Sequence, residues 1–96
     1  MTGQSRSLQD ILMDRLKVTQ DIAAANVEHM RLNQKASGMM VLDMKDEEDG
    51  VADEGREVER RQNEAALERS ADIITALEGR LSALDAEIDT AMKKEN

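Results

Sequence analysis

The sequence predicts an all-α fold, a long helical hairpin of coiled-coil type, and three observations carry that prediction. Leu67, Ile74, Leu81 and Ile88 recur at steps of seven, with Leu77, Leu84 and Ala91 alternating between them at steps of three and four. That is the a/d spacing of a helix that packs along one stripe against another helix. The 96 residues include no Phe, Tyr or Trp, so a compact core would lack the side chains that bury the most area. There is also no proline, and 35% of the residues are charged, which suits long uninterrupted helices with solvated faces.

Helix 1 starts at Ser7, where Ser7 followed three residues on by Asp10 approximates a capping box. One seam then reads Leu8, Ile11, Arg15, Val18, Ile22, Ala25, His29, Leu32, Ala36 and Met39, at alternating steps of three and four. A second group, Leu12, Leu16, Ala23, Val27 and Met30, lies to one side of it. The combined apolar face is wider than one partner helix covers. That width predicts a bundle of three or more helices, reached by homo-oligomerisation.

Gly38 admits two readings. Ala36-Ser37-Gly38 after Lys35 has the form of a helix C-terminus with glycine at C′, which would leave residues 39–44 as a short extended apolar segment. Alternatively the helix runs on to about Lys45, with an interior glycine costing about 1 kcal/mol. The break is the preferred reading. It gives a single domain with helix 1 over residues 7–37, an apolar segment and acidic loop over 38–54, and helix 2 over 55–93. Acidic residues at the start of helix 2 and Lys93–Lys94 at its end suit its dipole. Its first half is polar, with Arg60 and Asn63 at seam positions.

The net charge of −8 is concentrated. Residues 43–54 hold seven acids and one base for −6, against +1 over residues 1–42 and −3 over residues 55–96. An acidic chain without stacking aromatics is the opposite of a generic nucleic-acid binder, so nucleic-acid contact is expected to be weak at most. Neither glycine register of an EF-hand loop fits: centring on Gly50 puts Lys45 and Arg56 at the first and twelfth positions, and centring on Gly55 puts Gly50 and Arg61 there. With no cysteine and a single histidine, no metal or cofactor is expected. Catalytic motifs are absent from the sequence, so no enzyme activity is expected.

The longest apolar runs, Ile22–Ala25 and Met39–Leu42, fall far short of the roughly 20 residues of a membrane span. The first seven residues show no apolar stretch of a signal peptide. A cytoplasmic location follows as an expectation.

The expected interface between chains comprises Ile11, Val18, Ile22 and Leu32 from helix 1, and Leu67, Ile74, Leu77, Leu81, Leu84 and Ile88 from helix 2. Met39, Met40 and Met44, beside Asp46, Glu47, Glu48 and Asp49, form a candidate surface for another protein. Arg56, Arg60 and Arg61 are candidate phosphate contacts, although Glu57 and Glu64 at helical spacing offer them ordinary ion pairs. His29, on the seam, would make assembly pH-sensitive if copies met at a symmetric interface.

The order helix, short apolar segment after a glycine (Gly38–Met44), loop, then long Arg/Glu/Ala/Leu helix (Arg56–Ala91) resembles the small terminase subunits of tailed phages and phage-like particles. The resemblance implies a ring of helical hairpins that serves DNA packaging by recruiting the large ATPase–nuclease subunit. It covers the oligomerising core alone, because the chain has no room for the N-terminal helix-turn-helix usual in that family. A different resemblance rests on Asp46, Glu47, Asp49 and Asp53 at the tip of a long hairpin. It is to coiled-coil factors of the Gre and DksA type, and implies an acidic-loop regulator inserted into RNA polymerase or mimicking an anion toward a basic partner.

Overall fold

The computed structural model describes residues 6–50 and 54–95. Two helices of 42 residues each, α1 (Leu8–Asp49) and α2 (Glu54–Glu95), lie antiparallel as an extended hairpin of 71 × 21 × 14 Å. The smallest dimension is barely more than one helix diameter with its side chains, about 10–12 Å. The molecule is therefore a ribbon one helix thick. Its radius of gyration is 21.2 Å, where a compact domain of this length has roughly 12.5 Å.

Ser7 caps α1 as its sequence position predicts. It sits in extended conformation outside the helix, and its Oγ accepts the Asp10 N–H at 3.1 Å. The other end differs from expectation. α1 does not stop at residue 37: it passes through Gly38, and residues 39–44 are helical rather than extended. The acidic residues Asp46 to Asp49, expected in a loop over 38–54, form its last turn. The terminating glycine is Gly50, in the left-handed region at φ 74°, with its N–H directed to the carbonyls of Asp46 and Glu47.

The physical reason lies in the seam. Continued past Met39 in the same alternation, it reaches Asp43 and Asp46, and Arg56 occupies the equivalent line on α2. Keeping the helix intact buries Met39 and brings Asp43 and Asp46 to Arg56. Together these outweigh one interior glycine at about 1 kcal/mol.

The two seams close on each other. Ile11, Val18, Leu32 and Met39 of α1 and Leu84 of α2 are buried; Ile22, Leu81, Ile88 and Ala91 pack half-buried against the cluster formed by Ile11, Val18 and Leu84. Leu67, Ile74 and Leu77 are half-buried on the same line of α2. Polar residues interrupt the middle of the seam. Asn63 Nδ2 donates to the Leu32 carbonyl at 3.1 Å, and His29 Nδ1 lies 3.0 Å from Ser70 Oγ. Asn63 and Ser70 are themselves buried.

Ion pairs flank the packing at both ends. Arg15 Nε donates to Asp85 Oδ1 at 2.7 Å, and Arg6 bridges Asp14 and Glu87. Toward the tip, Arg56 pairs with Asp46 and lies 3.8 Å from Asp43.

Candidate functional site

The ten residues expected at an interface between chains all lie on the seam between this chain's own two helices. The seams match in period and are joined by a short connection. A tether of that kind supplies an intramolecular partner at high effective concentration. His29 likewise faces Ser70 of the same chain.

Val58, Ile73 and Met92 are exposed on α2, but most of the exposed large apolar side chains among the described residues are on α1. One step around the helix from the buried seam, the positions Leu12, Leu16, Thr19, Ala23, Asn26, Met30, Asn33, Ser37, Met40 and Met44 alternate at steps of four and three. None carries a charge, and all but half-buried Thr19 are exposed. Leu12 is 48% exposed, Leu16 53%, Met30 61% and Met40 65%. Met13, Val27 and Val41 extend the apolar surface to the next line of the helix, each more than half exposed.

Scattered apolar residues on a surface are ordinary, whereas a contiguous band marks an interaction surface. This uncharged line, apolar at Leu12, Leu16, Ala23, Met30, Met40 and Met44 and polar between them, runs for 33 residues, about 48 Å at the α-helical rise. It shares the period of the seam that already holds a helix. A side chain every three to four residues along a straight line is the imprint that another helix reads.

Of the stripe, Leu12, Leu16, Ala23 and Met30 are the second group visible in the sequence, and Met40 and Met44 belong to the expected protein-binding cluster. Met39, the third member of that cluster, turns inward and is buried. The uncharged polar members Thr19, Asn26, Asn33 and Ser37 escape a search for hydrophobic residues. The signal that finds them is the absence of charge at every position of one line from Leu12 to Met44.

The tip carries the acids. Glu47, Glu48 and Asp49 are exposed, while Asp46 is half-buried against Arg56. Asp53 lies outside the described residues. These acids sit in the last turn of α1, which contains no base, and so oppose the negative end of its own dipole.

The expected phosphate contacts stand among carboxylates. Arg56 meets Asp43 and Asp46, and Arg60 and Arg61 both meet Glu57, the latter with Nε at 3.1 Å from Oε1. Glu57 is held below the usual carboxylate range chiefly by its hydrogen bond from Arg60, with Arg61 adding to it. Glu28 is lowered in the same way by Arg31.

At the open end a shallow groove of about 400 Å³ is lined by Arg6, Glu87 and Lys94 over Ala83, Ala86 and Ala91. Among the described residues no group of three or more His, Cys, Asp or Glu side chains is placed to hold a metal ion. No described helix is long and apolar enough to cross a membrane. Comparison with protein-family models, with curated proteins and with solved structures gives no match to this chain.

Proposed function

We propose that this protein is a non-enzymatic assembly or adaptor subunit, a stiff helical arm that associates through the uncharged stripe of α1. One observation supports the reading above all. A second, uncharged line, Leu12 to Met44, is left exposed beside a seam that the chain's own α2 covers at least in part.

Area argues the same way. The hairpin exposes 7411 Å², where a compact monomer of 10.7 kDa exposes roughly 5,500 Å². The excess, roughly 1,900 Å², exceeds the about 800 Å² that each partner buries in a standard interface. An oligomerising core like that of the small terminase subunits is one form of this reading, and α2 with its Arg/Glu/Ala/Leu composition suits it. DNA contact through Arg56, Arg60 and Arg61 would then be weak, since each already meets a carboxylate.

The test is the mass in solution by light scattering behind a sizing column, over a range of protein and salt concentrations, for the native chain and for a Leu16→Glu/Met30→Glu variant. The expected result is a defined multimer for the native chain and a helical monomer for the variant. A multimer indifferent to both substitutions would refute the stripe as the assembly surface. A second reading draws on the exposure of Glu47, Glu48 and Asp49 at the end of a 71 Å arm: a regulator that presents acids to a basic partner. If neutralising those three residues abolished partner binding while assembly persisted, that reading would replace the first.

A further inference from the structure

We propose that two copies of this chain pair along the α1 stripe as an antiparallel, two-fold dimer, forming a four-helix assembly. The proposal rests on the reading of the stripe as the assembly surface and adds the occupant and its direction. The occupant must be a helix of about 48 Å with a straight uncharged line, and α1 of a second copy has that length and that line.

The outer positions of the stripe are palindromic in side-chain type. Running two copies in opposite directions about the midpoint sets Leu12 against Met44, Leu16 against Met40 and Thr19 against Ser37, with Ala23 against Asn33 and Asn26 against Met30 at the centre. The ends of the contact become apolar, and hydroxyls meet hydroxyls inside them. A two-fold interface needs this self-complementarity, with residue i meeting j and j meeting i.

Charge selects the direction. The segment 43–54 carries −6, whereas residues 6–21 hold three acids and three bases. Parallel pairing would place two acidic tips side by side, and like charges at close range oppose association. Antiparallel pairing sets residues 46–49 of one copy beside residues 7–10 of the other. There the acidic last turn, which opposes the dipole of its own helix, lies beside the positive N-terminal end of the partner's α1, whose first turn holds the single acid Asp10 and whose Arg6 already meets Asp14 and Glu87.

The chain contains no cysteine, so single thiols report direction cleanly. A Leu16→Cys chain is mixed with a Met40→Cys chain and oxidised under native conditions, with mass measured on the native chain in parallel. Both positions are more than half exposed in the hairpin. The expected results are a two-chain mass and a predominance of the mixed 16–40 disulfide over the 16–16 and 40–40 species. A two-chain mass with 16–16 and 40–40 cross-links would overturn the antiparallel pairing and leave the stripe as the assembly surface. Larger rings would overturn the dimer. A two-chain mass with no cross-link at any of these pairs would overturn the stripe itself, and a monomer at every concentration would overturn both.

Discussion

Replacing Asn63 with leucine should stabilise the hairpin by about 2 kcal/mol. Asn63 is 4% exposed on the α2 seam; its Nδ2 donates to the Leu32 carbonyl, and its Oδ1 finds no hydrogen-bond partner among the described residues. A buried acceptor left unsatisfied costs about 1–3 kcal/mol, and leucine removes that cost. Burial of the leucine side chain adds up to about 1.5–3 kcal/mol. Against these stand the lost hydrogen bond, about 0.5–1.5 kcal/mol, and the ordering of the leucine, about 0.5–1 kcal/mol.

In a chain of this length each 1 kcal/mol moves the melting temperature by about 4–8 °C. The expected rise is therefore about 8–16 °C, read by far-UV circular dichroism at matched protein concentration, because any self-association makes Tm depend on concentration. An unchanged or lower Tm would refute the reasoning, and would mean that Oδ1 is satisfied in solution or that the helices pair in another register. The gain should carry a cost in specificity. Polar seam residues reject alternative alignments, so the variant should populate shifted hairpin registers, visible as extra amide resonances.

Three further outcomes follow from the backbone and the surface charges. Gly38→Ala should stabilise the helix by about 1 kcal/mol, since nothing lies within 4 Å of the added Cβ, whereas Gly50→Ala should destabilise by about 1–2 kcal/mol because φ there is 74°; denaturant titration of the pair reads opposite signs, and equal signs would place the helix end elsewhere. Ser7→Ala should cost about 1 kcal/mol through loss of the Asp10 N–H acceptor, measured as faster amide exchange in the first turn of α1. Glu57 titrates below the ordinary carboxylate range, and Arg60→Gln should raise it toward that range in a carboxyl-detected NMR titration. Because the folded-state value is lowered, the stabilisation from this group is full above the ordinary glutamate value and is lost as pH falls through the lowered one.

Much of this fold was legible because the seam has a simple period. The line from Leu8 to Met39 and the line from Leu67 to Ala91 were both visible in the sequence, and in the structure they face each other. Gly38 misleads because a local cue, glycine after a basic turn, points to a helix end while the seam beyond it keeps the helix intact. Asp43 and Asp46 are polar, so a search for apolar residues stops at Met39, yet they hold their places by meeting Arg56. The periodicity also could not tell a partner in the same chain from a partner in another. The seam residues expected between chains lie, buried or half-buried, between the two helices of one chain, and the longest uncharged exposed surface is the line one step around α1, half of it Thr, Ser, Asn and Ala.

The two ends of the described hairpin lie together, with Arg6, just before α1, in contact with Glu87 on α2, and the turn lies at the far end of a 71 Å rod. A load applied across those neighbouring ends would act on the seam like a zip. It would open one layer of side chains at a time, from Ile11 and Leu84 toward Asn63 and Arg56, and would never shear the whole length at once. Each layer resists alone, so this arm would part under a small pull at its base while bearing a much larger one directed along its axis.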